Sequence, residues 1–106
     1  MAKSLPSLRE KKRYIFFRLH SDGSISYPDM RNAVWNSCLE WLGEKGLAAA
    51  NMQIIKNLWD GSQGAIRCSH LHVDSIKLSL ALIHQIGDQK TIFQTLRVSG
   101  TIKAGR

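Results

Sequence analysis

Hydrophobic and polar side chains alternate along residues 11–20, with the two-residue period of a β-strand that has two different faces. One face carries Lys11, Arg13, Ile15, Phe17 and Leu19, and the other carries Lys12, Tyr14, Phe16, Arg18 and His20. Residues 21–24 are turn-forming. The pattern therefore predicts a strand over residues 11–20 that ends in a turn.

Two segments have apolar residues at the three- and four-residue spacing of amphipathic helices. The first spans residues 28–42 and opens on Pro28, which suits the first helical position. The second spans residues 73–86 and ends before Gly87. Residues 43–51 are expected to be a connection with one extra helical turn. The stripes expected to face the core are Val34, Cys38 and Trp41 in the first helix, and Val73, Ile76, Leu80 and Ile83 in the second.

Three further strands are predicted over residues 52–59, 65–69 and 91–99, and a hairpin signal at residues 60–64 joins the first two. The order strand, helix, strand, strand, helix, strand is that of the split βαβ unit. We therefore expect an α+β, ferredoxin-like (RRM-like) sandwich, in which one four-stranded antiparallel sheet carries both helices on one face. In that topology the first and last strands are neighbours.

Strand alternation predicts which side chains lie on the open face of this sheet. The residues expected under the helices are Ile15, Phe17, Leu19, Ile66, Cys68, Leu96 and Val98, and those expected on the open face are Tyr14, Phe16, Arg18, Arg67, Phe93 and Arg97. Aromatic rings between arginines are typical of surfaces that bind single-stranded RNA. The alternative is that a loop or partner protein covers Phe16 and Phe93. Residues 64–69 lack the aromatic consensus of the RNA-recognition motif, so a sequence-reading domain of that family is not predicted.

Positive charge is concentrated at the two ends of the 106-residue chain, whose formal net charge is +7. Residues 1–18 hold six basic residues against one acidic residue, and residues 88–106 hold four against one. We expect residues 1–10 to be a basic flexible arm, residues 11–103 a single domain and residues 104–106 a short tail. Because the predicted fold brings both ends together, they indicate a surface that binds a polyanion.

The remaining composition favours a cytoplasmic, non-catalytic protein. No apolar run approaches the ~20 residues of a membrane helix, and the first nine residues lack the apolar stretch of a secretory signal. Cys38 and Cys68 fall in apolar segments, as expected for buried thiols in a reducing compartment. Cys68, His70 and His72 have a metal-like spacing, but a buried thiol with two exposed histidines is the favoured interpretation. The scattered carboxylates argue against a stand-alone nuclease.

The predicted helices carry more apolar surface than one small sheet can cover. Trp35 and Leu39 flank the core stripe of the first helix, and Leu78 and Leu82 lie opposite that of the second. These four residues are predicted to contact a partner protein. The alternative is that residues 43–51 fold over them.

Four blocks of the sequence, in the right order, resemble the ribonuclease P protein component 2 family. The blocks are Leu8–Ile15, Ala33–Leu39, Gly64–Cys68 and Val98–Lys103, and the similarity runs from Leu5 to Lys103. Ribonuclease P removes the 5′ leader of precursor tRNA, and its RNA holds the active site and the catalytic Mg²⁺. The resemblance therefore implies a small, non-catalytic α/β subunit that binds no cofactor itself.

The resemblance also implies partners. They are the catalytic domain of ribonuclease P RNA and the TIM-barrel-like protein component 3, and copies of the pair can associate through component 2. The residues expected to bind RNA are Arg9, Lys11, Lys12, Arg13, Tyr14, Arg18, Arg67, Arg97 and Lys103. The alternative function is a ferredoxin-like protein-interaction module with no direct RNA contact. Salt dependence separates the two, because phosphate contacts weaken steeply with added salt.

Overall fold

The computed structural model of the protein describes residues 11–101, which form five strands and two helices. In chain order these elements are β1 (Lys12–Ser21), α1 (Tyr27–Ala50), β2 (Gln53–Ile54), β3 (Gln63–Ser69), α2 (Val73–Ala81), β4 (Gln85–Ile86) and β5 (Gln89–Ser99). Short 3-10 turns occupy Lys56–Leu58 and His70–His72. The predicted arm (residues 1–10), the last two residues of the predicted domain (102–103) and the predicted tail (residues 104–106) lie outside the described residues.

The strands form one antiparallel sheet in the order β2-β3-β1-β5-β4. The prediction that the first and last long strands are neighbours is confirmed, because β1 pairs with β5 from Tyr14–Ser99 to Ser21–Thr91. The architecture is α+β and broadly consistent with a ferredoxin-like arrangement. The sheet, however, has five strands rather than the four expected.

The fifth strand replaces the predicted end of the second helix. Helix α2 stops at Ala81, and Gln85 pairs with Lys90 in a hairpin whose turn contains Gly87. Gly87 has φ +62°, a conformation that glycine adopts without strain. The same glycine suits either a helix end or a hairpin turn, so its position alone did not distinguish them.

Helix α1 is longer than predicted. It begins after Ser26, whose side chain accepts a hydrogen bond from the Asp29 N–H at 3.3 Å. Gly43 interrupts the helix with non-helical backbone angles, and a second helical segment continues to Ala50. Asn51 then ends the segment in the left-handed conformation. Residues 43–51 are therefore mostly helical rather than a connection.

The predicted strand over residues 52–59 is mostly absent. Only Gln53–Ile54 pair with β3, and Lys56–Leu58 form a 3-10 turn before the hairpin loop. The predicted core residues of this segment are confirmed: Ile76 and Leu80 of α2 are buried and Val73 is half-buried, and Ile83 is buried although it follows the end of the helix.

A β-bulge in the β1–β5 pairing changes the predicted faces of the last strand. Leu19 lies opposite Phe93 and Phe17 opposite Thr95, but Phe16 lies opposite Arg97, so Leu96 has no partner on β1. Opposing residues share a face of the sheet, and Phe93 therefore joins the core with 7% of its surface exposed. The prediction that Phe93 lies on the open face was wrong.

The same bulge affects the apolar residues near the end of β5. Leu96 and Val98, which were predicted to lie under the helices, are 42% and 39% exposed. The register places Val98 opposite the buried Ile15, so Val98 is on the helix side although it is incompletely covered. Arg97 lies opposite Phe16 and is exposed on the open face, as predicted.

Candidate nucleic-acid interface

The open face of the sheet carries aromatic and basic side chains in neighbouring rows. Tyr14 lies opposite Arg67 on β3, and Arg67 lies opposite Gln53 on β2. The next row joins Phe16 to Arg97. All but one of the predicted open-face residues therefore lie on this face, namely Tyr14, Phe16, Arg18, Arg67 and Arg97. The exception is Phe93, which is in the core.

Amide side chains position two of these arginines. The Arg67 guanidinium donates to the Gln53 side-chain oxygen. With the Gln63 amide oriented to satisfy its neighbours, its oxygen accepts from Arg18 Nη2 at 2.5 Å and from Nε at 3.2 Å. Because a neutral amide does not cancel the charge of a guanidinium, both arginines keep an electrostatic attraction for phosphate.

Farther along β1 and β5, the open face carries polar side chains that are not arginines. His20 and the Gln94 side-chain oxygen lie 2.8 Å apart across β1 and β5. Beside them, Ile92 lies opposite His20 and is 67% exposed. The half of the face nearest β4 is therefore less basic than the half that contains the arginines.

The basic end of β1 meets the ends of two other strands. Lys12 lies opposite Ser69 at the end of β3, and Tyr14 lies opposite Ser99 at the end of β5. Alternation divides the cations between two sides, because Arg13 shares the side of Ile15 whereas Lys12 shares that of Tyr14. At this end of the sheet, Lys12 and Arg13 therefore lie on opposite sides of β1. Arg9 and Lys103 lie outside the described residues.

Apolar side chains remain exposed on the helices. Trp41 is 55% exposed, Leu82 is 41% exposed, and both line a groove of about 550 Å³ between α1 and the start of β4. Trp35 and Leu78 are exposed as well, whereas Leu39 is half-buried and packs against the core.

Trp41 is the residue of this apolar face that the sequence prediction missed. It had been assigned to the core stripe, but Leu42 packs against the core instead. The prediction took α1 as ending at Leu42, whereas Leu47 and Ala50 in its continuation are buried in the core.

The two thiols are buried, as the sequence predicted. Burial raises the pKa of Cys38 to about 11, against a weaker opposing hydrogen bond with Ser79, and also raises the pKa of Cys68 to about 11. Among residues 11–101, no three histidine, cysteine, aspartate or glutamate side chains lie close enough together to hold a metal ion. No helix within those residues is long and apolar enough to cross a membrane.

The fold and the open face define a small, basic α+β protein with an arginine- and aromatic-bearing sheet surface. A model of the Rpp14/Pop5 family matches residues 13–106, so the chain belongs to that family. The resemblance predicted from the sequence is thereby confirmed.

Relatives named ribonuclease P protein component 2 match over most of their length. The Pyrococcus furiosus protein is 43% identical over 98 residues, which cover 92% of this chain and 82% of the relative. The Methanocaldococcus jannaschii protein is 36% identical over 107 residues, which cover 100% of this chain and 78% of the relative. A chain in the cryo-EM structure of yeast ribonuclease MRP has a TM-score of 0.68 and 15% identity over 94% of this chain and 79% of that one, which shows a shared fold.

Proposed function

We propose that this chain is a non-catalytic, RNA-binding subunit of ribonuclease P that acts in the cytoplasm. In this role it supports the RNA-catalysed, endonucleolytic removal of the 5′ leader from precursor tRNA. The names of its relatives support the assignment to that enzyme. The main support for an RNA contact is the arrangement of side chains on the open face. There the charged side chains of Arg18 and Arg67 lie beside the aromatic rings of Tyr14 and Phe16.

The proposed RNA contacts divide into two groups. Lys12, Arg18, Arg67 and Arg97 neutralise phosphates on the open face, and Tyr14 offers a ring on which a base can stack. Lys11 and Arg13 extend the cationic surface around the sheet edge. Arg9 and Lys103 belong to the same proposal through their positions in the sequence. Mg²⁺ is expected at the active site of the RNA rather than on this chain.

The exposed helix face is proposed to contact protein. Trp35, Leu78 and Leu82, with the partly covered Leu39, form the surface for the TIM-barrel-like component 3 or for a second copy of this chain. Large exposed apolar side chains on two adjacent elements favour a protein contact, because their burial is favourable by roughly 25 cal/mol per Å². A fold of the ferredoxin-like type, with one extra hairpin strand, leaves this face and the RNA face on opposite sides of the molecule.

Reconstitution tests the proposal. Ribonuclease P RNA with its other protein subunits should cleave precursor tRNA faster when this chain is added, and the chain alone with Mg²⁺ should not cleave. Robust metal-dependent cleavage by the RNA-free chain would contradict a non-catalytic role. A stimulation that persists when the chain no longer binds the RNA would instead favour the second candidate, a protein-interaction module, which the exposed Trp41 and Leu82 support.

A further inference from the structure

The open face contains a depression of about 400 Å³ at the β1–β5 bulge. Its apolar walls include Phe16, Leu58 and Leu96, and its polar groups come from Asp60, Gln63 and Arg97. Pockets for small ligands have volumes of roughly 300–1,000 Å³ and combine apolar walls with a few polar groups. The depression therefore has the size and lining of a site for one small aromatic group.

The bulge is the feature that places an apolar wall here. Leu96 is the extra residue of β5, so no residue of β1 lies opposite it. Its side chain stays 42% exposed beside the half-buried Phe16. Bulges often redirect a side chain next to a functional site, and here the bulge adds Leu96 to the face that carries the arginines.

Asp60 supplies a fixed hydrogen-bond acceptor at the depression. Its Oδ1 accepts from the Gln63 N–H at 2.7 Å, from the Ser62 N–H at 3.0 Å and from the Ser62 hydroxyl at 3.3 Å. These bonds, the Gln63 N–H first, lower the pKa of Asp60, so the group is an ionised carboxylate at neutral pH. All three bonds end on Oδ1, and none of them uses Oδ2.

An ionised carboxylate favours a ligand that presents hydrogen-bond donors to it. It accepts hydrogen bonds and cannot donate them, and it repels a phosphate. Guanine offers two adjacent donors, N1–H and the exocyclic amine, and both can point at Oδ2, the oxygen that the three loop bonds leave unused. Uracil offers a single N–H between two carbonyl oxygens, which a carboxylate would repel.

We propose that this depression binds one unpaired guanine nucleotide of the RNA, with the base against Phe16 and Leu96 and its Watson–Crick edge toward Asp60. Arg18 and Arg97 flank the depression on the same face and meet the adjoining phosphates. The inference rests on the proposed RNA-binding function and adds one base-specific contact to phosphate contacts that are otherwise independent of sequence.

Fluorescence anisotropy with short RNAs tests this contact on the full chain. The probes are an eight-nucleotide oligouridine, the same RNA with one central guanosine, and the same RNA with a central inosine, which lacks the exocyclic amine. The guanosine RNA should bind more tightly than oligouridine by roughly five- to a hundredfold, the range expected for one well-placed bidentate base contact. The inosine RNA should fall between the two.

Asp60→Asn is the decisive variant, because asparagine keeps an Oδ1 acceptor for the hairpin loop but loses the negative charge. It should reduce the guanosine preference to about twofold or less, with an unchanged salt dependence, and it should not weaken oligouridine binding, because the charge that repels uracil and phosphate is gone. Phe16→Leu should weaken binding of all three RNAs by roughly tenfold through lost stacking. Ile92→Ala, on the same face outside the depression, should change neither affinity nor preference.

The outcomes separate this inference from the proposed function. Equal binding of guanosine RNA and oligouridine, with a normal salt dependence, would overturn the guanine site and leave the RNA-binding function intact. A preference that survives in Asp60→Asn would place base recognition elsewhere and also overturn the site. If purified component 3 protein abolishes the preference but not RNA affinity, the depression is a protein contact and the inference is wrong. Absence of any salt-sensitive RNA binding would overturn the function and the site together.

Discussion

Phe17 and Phe93 lie side by side in the core, with ring centroids 5.4 Å apart and planes tilted by 43°. Simple alternation along each strand places the two rings on opposite faces of the sheet. The bulge at Leu96 shifts the pairing by one residue and brings both rings under the helices. Tilted aromatic pairs at this distance contribute roughly 0.5–1.5 kcal/mol beyond the burial of their area.

Replacement of Phe93 by alanine tests this position. Phe93→Ala should lower the free energy of unfolding by roughly 3–5 kcal/mol, because it leaves a cavity beside Phe17. Ile92→Ala removes an apolar side chain that is 67% exposed and should cost about 0.5 kcal/mol or less. Urea unfolding of both variants gives the comparison. Equal losses of stability, or a larger loss for Ile92→Ala, would indicate that side chains alternate along β5 without a bulge, with Ile92 in the core in place of Phe93.

Local patterns predicted most of the fold but not its irregular parts. The alternation of β1 and the apolar stripe of α2 are properties of one segment, so they could be predicted from that segment. The bulge depends on how β5 pairs with β1, so the sequence of residues 91–99 alone does not predict it. The first helix was predicted to end at residue 42 and the second before Gly87, whereas Gly43 only interrupts a longer helix and Gly87 turns a hairpin. The open face was therefore predicted correctly on β1 and β3 and incorrectly at Phe93.

Gly64 is required by the packing beneath the sheet. A Cβ at this position would lie 2.9 Å from Phe17 Cζ and 3.0 Å from Trp59 Cε3. Gly64→Ala should therefore destabilise the protein by roughly 1–3 kcal/mol through overpacking. Gly100→Ala is the matched control, since its Cβ would meet Arg13 Nη1 at 3.8 Å, an ordinary contact. Thermal unfolding distinguishes them, and an unchanged melting temperature for Gly64→Ala would show that the two rings can move apart.

The buried thiols should react slowly in the folded protein. Cys38 and Cys68 have pKa values raised from 9.0 to about 11 by burial, so iodoacetamide should alkylate them far faster in denaturant than in buffer at about pH 8. The raised values also set a pH dependence. Their contribution to stability is full below 9.0 and is lost as the pH rises from 9.0 toward about 11, because the unfolded thiols ionise first.

The Cys38→Ala/Cys68→Ala variant tests the pH dependence directly. It should lose less stability than the parent chain between pH 9.0 and about 11, whatever its stability at neutral pH. Urea unfolding at several pH values measures the difference. Parallel losses in both proteins would mean that other groups, such as lysines and tyrosines, account for the alkaline loss.

A charge on the helix face should break a protein contact without unfolding the chain. Leu82→Asp places a carboxylate in the groove that Trp41 also lines, and a desolvated charge is costly only where a partner buries it. Binding to component 3 protein, or self-association, should weaken by 2 kcal/mol or more, about thirtyfold, if Leu82 is central to the contact. Ile92→Asp makes the same change on the opposite side and should leave this binding intact. Sedimentation and calorimetry measure it, and equal effects of the two variants would contradict a helix-side interface.

The salt dependence of RNA binding should identify which side of the protein meets phosphate. Lys12→Gln/Arg18→Gln removes two cations from the open face, and Arg31→Gln/Lys45→Gln removes two exposed cations from α1. Both variants reduce the net charge equally, so any long-range effect of total charge is the same in both.

The two variants should nevertheless differ in slope. Each phosphate contact contributes about 0.7 to the slope of log affinity against log salt for single strands and about 0.9 for duplex, so the open-face variant, which loses two contacts, should lose about 1.4 to 1.8. The helix variant should keep the slope of the parent chain, because a cation that touches no phosphate releases no condensed counterion. A misfolded fraction would lower the amount of active protein but would not change the slope in proportion to the cations removed. If the slope falls by the same amount in both variants, RNA binding depends on net charge and not on the open face. If the slope falls only in the helix variant, the RNA binds on the helix side, where the apolar groove lies.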